Sequence, residues 1–194
     1  MSKTRSIRFP VKRLATDAVL IALYFGLSLL SVEVSGIKLT FASLPTILCA
    51  MIYGPVDAFL VGFLGAFMEQ MLKYGFTATT LLWVLPPAIR GLFIGLCCLL
   101  MKKSLSPEQM LQNRRPYAFF IVCVISGMIV STLNTAVYYV DAKMFHYYTY
   151  ALIFGMFWLR LISGVISSLL MSLVALPVFA GLRHTILIPK KVRQ

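Results

Sequence analysis

Long apolar runs alternate along the chain with short polar breaks. A run of about 20 apolar residues is what an α-helix needs to cross the hydrocarbon core of a bilayer. Four such runs stand out, Leu14 to Val32, Thr80 to Met101, Tyr117 to Tyr139 and Ala151 to Leu182, and a fifth stretch, Phe41 to Leu72, is broken only by Gly54-Pro55. Basic residues decide how the fifth stretch crosses. Lys3, Arg5, Arg8, Lys12 and Arg13 precede the first run, Lys102, Lys103, Arg114 and Arg115 fill the central break, and Arg183, Lys190, Lys191 and Arg193 follow the last run. Basic loops stay cytoplasmic, so the chain from Leu14 to Met101 must cross an even number of times. Phe41 to Leu72 is therefore predicted as a hairpin of two helices. Gly54 ends the first, Pro55 opens the second, and Asp57 sits at the positive end of that helix's dipole.

The expected fold is an all-α integral membrane protein, a single domain of six transmembrane helices with both termini cytoplasmic. The spans are 14–32, 41–53, 56–72, 80–101, 117–139 and 151–182. The basic N-terminus reads as a flank of a retained first span, because no small-residue cleavage site and polar mature domain follow it. Lys38, Lys73 and Lys143 fall one each in the opposite loops, and the segments Val34 to Thr40, Lys73 to Thr79 and Val140 to Tyr150 are polar enough to act as lids there.

Composition narrows the function. Of 194 residues 60% are hydrophobic and 12% charged, about half the charged share of soluble domains. Six spans leave no room for a soluble catalytic domain. The phosphate-cradling pattern Gly-x-x-x-x-Gly-Lys-[Ser/Thr] is absent from the sequence, so any ATP-driven work is expected from a partner. The net charge of +12 on so apolar a chain reads as orientation in a lipid bilayer, with no nucleic-acid partner. Cys49, Cys97, Cys98 and Cys123 lie inside apolar runs without Cys-x-x-Cys spacing and read as packing residues. His146 and His184 fall on opposite sides of the membrane, so neither a catalytic nor a metal constellation is expected, and no cofactor in this chain.

Arg90 and Arg160 are the strongest candidates for a binding site. A guanidinium is costly in hydrocarbon and does not deprotonate, so each must face a cavity, a polar interior or a counter-ion. Trp83, Pro86, Pro87 and Arg90 share roughly one helical face, where two prolines interrupt the hydrogen-bond ladder. Such a broken helix suits a ligand pocket. Arg160 has Phe157, Ser163, Gly164 and Ser167 on its side of the sixth helix, and Gly127, Ser131, Asn134 and Tyr138 form a comparable stripe on the fifth. Glu69 is taken as the only acidic residue near either arginine. One carboxylate against two arginines leaves a surplus positive charge that an anionic ligand would offset. The plainer alternative pairs Glu69 with one arginine and sends the other to lipid phosphate or backbone carbonyls. On the first helix Ala18, Ala22 and Gly26 form a smooth stripe, either a docking face for another helix or a packing face within the bundle. Ala58, Gly62 and Ala66, and Gly91 with Gly95, read as bundle packing.

Residues 38 to 66, KLTFASLPTILCAMIYGPVDAFLVGFLGA, resemble the second-to-third-helix hairpin of the folate and pantothenate group of S components, the substrate-binding membrane subunits of energy-coupling factor (ECF) vitamin transporters. Lys38-Leu39-Thr40-Phe41, Leu44-Pro45, Tyr53-Gly54-Pro55, Gly62 and Gly65 carry the likeness. The resemblance implies a bacterial plasma-membrane protein that binds a vitamin from outside. It also implies delivery through a transmembrane coupling subunit and two cytoplasmic ABC ATPases that hydrolyse ATP. A small-residue motif on the family's first helix meets the coupling subunit, and Ala18 and Ala22 match it, with Gly26 one turn on. Departures weaken a folate assignment: Ala66-Phe67-Met68 stand before Glu69, where folate-type members carry an Asp directly after the second glycine, and Ala78 to Pro87 replaces the family's Thr-Leu-Ser-Ala stretch. The expected substrate-binding set is Arg90, Arg160, Trp83, Asn134, Tyr138, Glu69 and Lys38. A compact monoanion such as pantothenate suits it better than a long dianionic folate. A small secondary transporter or channel, and a scaffold that binds no ligand, are the competing classes.

Overall fold

The computed structural model describes residues 11–34, 37–104 and 116–186. The basic groups before Val11, between residues 105 and 115 and after Ile186 lie outside the described residues. Among the described residues six α-helices follow one another: α1 (Val11–Leu29), α2 (Ser43–Ile52), α3 (Pro55–Tyr74), α4 (Thr80–Ser104), α5 (Pro116–Met144) and α6 (Phe157–Ile186). A five-residue π-helical turn, Ala151–Gly155, leads into α6. Four helical segments, Pro55–Tyr74, Thr80–Met101, Tyr117–Met144 and Phe157–Leu182, are long and apolar enough to cross a membrane. The other two differ. α2 has 10 residues, about 15 Å of helix, and α1 carries Lys12, Arg13 and Asp17 in its first two turns.

The hairpin at Gly54-Pro55 forms as the turn chemistry predicts. The Tyr53 N–H closes α2 on the Cys49 carbonyl at 2.8 Å, Gly54 takes φ 102°, which favours a residue without Cβ, and Pro55 starts α3 with Asp57 in its first turn. Three expectations are corrected. The segment after α1, read as part of a loop, pairs as antiparallel strands β1 (Val32–Val34) and β2 (Ile37–Leu39), in register Val32 to Leu39. Three-residue alternations rich in Val and Ile are too short to show against a membrane-length window. Lys73, placed in a loop, belongs to the last turn of α3. Val140 to Met144, also placed in a loop, continues α5, because backbone hydrogen bonding extends past the point where side chains turn polar.

The stripes of small residues on α3 and α4 make a close crossing. A Cβ on Gly62 would sit 2.7 Å from the Pro87 carbonyl oxygen, and Gly91 and Gly95 abut the backbones of Ala58 and Pro55. Backbones this near leave no room for larger side chains.

Each long helix is divided between a packed half and a cavity half. Ile47, Leu48, Ala58, Val61, Ile94, Cys98, Phe119, Cys123, Met171 and Phe179 form one buried apolar cluster. They come from the start of α3 and α5 and the end of α4 and α6, so this cluster occupies one end of the bundle. At that end Arg13 Nη2 donates to Asp57 Oδ1 at 2.7 Å and Arg13 Nε bonds Asp57 Oδ2. Asp57 is 1% exposed, and the Arg13 guanidinium lies 5.7 Å from the Tyr53 ring centroid. The buried Asp17 stands nearby, its Oδ1 3.7 Å from the Cys49 sulfur.

Candidate ligand-binding site

The opposite half of the bundle surrounds a cavity of about 720 Å³ lined by residues of α1 to α6 and of the segments before α2, between α3 and α4, and between α5 and α6. Arg90, Arg160, Trp83, Asn134, Tyr138 and Glu69 all line it, as do Ser131, Ser163, Gly164 and Ser167. The side chain of Lys38 lies outside the described residues. Gly127 proves to be a packing position, where a Cβ would meet the Gly164 carbonyl oxygen at 2.8 Å, and Phe157 is absent from the cavity lining.

Arg90 reaches the cavity from α4 with Trp83 and Pro87, two turns and one turn earlier on the same face. Pro86, grouped with them by sequence, is buried away from the lining instead, since successive helical residues point about 100° apart. The helix is not broken either. α4 runs unbroken from Thr80 to Ser104 with both prolines inside, although Pro86 and Pro87 offer no N–H to the carbonyls of Leu82 and Trp83. Arg160 lies 4.6 Å from the centroid of the Tyr138 ring, a distance at which the cation is drawn to the ring face. Its carbonyl accepts from Ser163 Oγ at 2.9 Å and Ser131 Oγ at 3.2 Å, which ties α5 to α6.

Three buried polar atoms of cavity-lining residues, Arg90 Nε, Thr46 Oγ1 and Ser167 Oγ, make no hydrogen bond among the described residues. Buried polar groups are nearly always paired, and each exception calls for an explanation. Here the exceptions gather on one cavity.

Asp141 was missed by the sequence reading. It lines the same cavity and accepts hydrogen bonds from Thr79 Oγ1, from Trp83 Nε1 at 3.4 Å and from the Tyr147 hydroxyl. The helical signal was present, because Ser131, Asn134, Tyr138 and Asp141 follow three- and four-residue spacing, but ending the helix at Tyr139 cut Asp141 off. The start of α4 aims Thr79 at it. The Thr77 N–H donates to Thr80 Oγ1 at 2.8 Å, and the Thr77 hydroxyl lies 3.0 Å from that of Thr80 and 3.4 Å from that of Thr79. Desolvation and the bond to Asp141 hold the Tyr147 phenol above its ordinary range, so it serves as a donor at physiological pH.

Glu69 is therefore not the sole carboxylate beside the arginines. It forms a salt bridge with Lys73 at 2.8 Å, and Lys73 also donates to the Ser28 carbonyl at 3.0 Å. With Glu69 bridged to Lys73, the charged side chains among the described residues of the lining are Arg90, Arg160, Glu69 and Asp141.

A family model described as "ECF transporter, substrate-specific component" matches residues 12–184. The chain belongs to this family of ECF transporter substrate-specific components. It is therefore a membrane transport component, and its helices supply the apolar spans such a protein needs. Among curated proteins, a UPF0397 protein of Vibrio atlanticus (strain LGP32) is 29% identical over 133 residues, 67% of this chain and 71% of the relative. UPF0397 proteins of Lactobacillus johnsonii and Lactobacillus gasseri are 51% identical over 49 residues, and in each case the match spans a quarter of the relative's length. A solved structure described as "Structure and mechanism of the S component of a bacterial ECF transporter" aligns over 91% of this chain and 96% of its own, at 16% identity and a TM-score of 0.49.

In this substrate-specific component the first helix has two distinct faces. Leu20, Tyr24 and Ser28 are buried, and Tyr24 lines the cavity. Ala18, Ala22 and Gly26 are exposed on the other side, and a Cβ on Gly26 would meet nothing within 4 Å. Among the described residues the bundle does not cover this stripe. Among the described residues no group of His, Cys, Asp and Glu has an arrangement that would hold a metal ion.

Proposed function

We propose that this chain is the high-affinity substrate-binding subunit of an ECF-type vitamin importer and that its cavity takes a compact, singly charged anion, with pantothenate the first candidate. The observation that carries this reading is the convergence of buried polar atoms without hydrogen bonds among the described residues on a cavity holding two arginines and a carboxylate, Asp141, that none of the described cations pairs with. Pantothenate has one carboxylate for the arginines and hydroxyl and amide groups for Asn134, Asp141 and the serines.

In this reading all six helices lie in a bacterial plasma membrane with both termini cytoplasmic, and the cavity half faces outward. The short α2 is accommodated by neighbouring helices and local thinning of the bilayer. The exposed face of α1 docks on a transmembrane coupling subunit through Ala18, Ala22 and Gly26, and two cytoplasmic ATPases hydrolyse the ATP.

The test is calorimetry on the detergent-purified protein with pantothenate, folate and other water-soluble vitamins, followed by uptake in liposomes. Saturable binding of a single vitamin by the isolated chain, with sustained uptake only when the coupling subunit and ATPases are present, is the expected result. Uptake by the chain alone would make it a secondary transporter, and a folded sample that binds no vitamin would remove the reading. Ala18→Trp or Ala22→Trp should leave binding within about twofold while lowering uptake by the complex at least tenfold, since bulk on a small-residue face blocks close helix approach.

A further inference from the structure

Asp141 differs from every other acid described in the bundle. Asp57 is held by Arg13, Glu69 by Lys73, and Asp17 lies beside Cys49 at the packed end. Asp141 sits in the cavity with three neutral donors. Thr79 Oγ1 and Trp83 Nε1 reach Oδ1, and the Tyr147 hydroxyl reaches Oδ2. An ionised carboxylate offers about four acceptor positions, so these donors fix its orientation and leave acceptor capacity on Oδ2. Among the described residues no cation pairs with it. The Tyr138 ring, which carries Arg160 over its face, meets Trp83 edge-on at 6.1 Å and Tyr147 at 6.0 Å. An aromatic wall thus runs from the arginine to the carboxylate.

We propose that Asp141 is the specificity-determining acceptor of the cavity. It receives an O–H or N–H at the far end of a ligand whose anionic end lies on Arg90 and Arg160, and it repels ligands that carry a second carboxylate there. This inference rests on the vitamin-binding reading above and adds the class of substrate: a monoanion with a hydrogen-bond donor at its opposite end. Specificity of this kind uses attraction and repulsion together. A buried acceptor also rejects an analogue that lacks the matching donor more strongly than an apolar wall rejects an extra methylene.

Three ligands are compared by calorimetry on the full-length wild-type protein and on Asp141→Asn and Asp141→Leu: pantothenate, its analogue lacking both hydroxyls, and its analogue with the terminal CH2OH oxidised to a carboxylate. The readout is the ratio of affinities within each protein, so a variant's loss of stability cancels. Wild type should favour pantothenate over the deoxy analogue by about 10- to 100-fold, the range for a hydrogen bond to a charged group. Asp141→Leu should reduce that ratio to within about threefold, and Asp141→Asn should improve relative binding of the dicarboxylate at least tenfold. If another vitamin binds in place of pantothenate, its own deoxy or N-methyl analogue takes the second position. Unchanged ratios in both variants would overturn the role of Asp141 while leaving vitamin binding standing. Failure of every vitamin to bind wild type would overturn the proposed function and this inference with it.

Discussion

The two ends of the bundle treat an arginine in opposite ways. At the packed end Arg13 grips Asp57 through two nitrogens, and the cation and carboxylate neutralise one another within the fold. At the cavity end Arg90 has a buried Nε with no hydrogen-bond partner among the described residues, and Arg160 rests on the Tyr138 ring. Leaving a buried donor unsatisfied costs about 1–3 kcal/mol, and more for a charged group. A fold that satisfies Arg13 this well could satisfy Arg90 too. Under the proposed function, this is where stability is traded for binding, because a group saturated within the protein has nothing left for a ligand.

The largest expected effect breaks the cavity end. Arg90→Met should lower ligand affinity more than 100-fold while leaving the melting temperature of the ligand-free protein unchanged or higher, as seen by calorimetry and thermal unfolding in the same detergent. Arg160→Met should match it in affinity. Wild-type affinity in both would remove the arginines from the site. The packed end should behave in the reverse sense. Arg13→Met leaves the carboxylate of Asp57 without its partner, and removing one member of a buried pair costs roughly 3–5 kcal/mol. Arg13 is 31% exposed on its side chain, so about 2–3 kcal/mol is expected, seen as a lower unfolding midpoint with the order of ligand preference unchanged. The smallest effect sharpens the contrast. Tyr138→Leu removes only the ring beneath Arg160 and should weaken binding about threefold to tenfold, in keeping with a cation–π contact of about 1 kcal/mol. A loss as large as that of Arg90→Met would show that Tyr138 touches the ligand directly.

Much of this contrast was legible in the sequence. An arginine within an apolar run has few tolerable environments, so Arg90 and Arg160 point to a cavity from the sequence alone. The Gly54-Pro55 break and the small-residue stripes named the hairpin and the close α3–α4 crossing for similarly local reasons. What sequence could not supply was the pairing. Hydropathy reports solvent preference, and the α5 helix continues from Tyr139 to Met144 after that preference has changed. Those five residues contain Asp141, so a boundary error became a chemical one. Arg13 and Asp57 are 44 positions apart, and only the packing of α1 on α3 brings them together. The partner of Glu69 is the reverse case, since Lys73 stands one turn away and was missed because it had been placed outside the helix.

Tyr24 and the Ala18, Ala22, Gly26 stripe occupy opposite faces of a single helix, so the cavity and the exposed face of α1 are separated by about 10 Å, one helix diameter. Gly65 sharpens this closeness, because its missing Cβ is where the Tyr24 ring sits. Any tilt or rotation of α1 moves Tyr24 against the cavity contents, and any ligand that displaces Tyr24 pushes on α1. Coupling across such a wall is reciprocal by thermodynamic necessity. If a protein pressed on the outer face weakens ligand binding by some factor, the bound ligand weakens that association by the same factor, and a single measured ratio reports both.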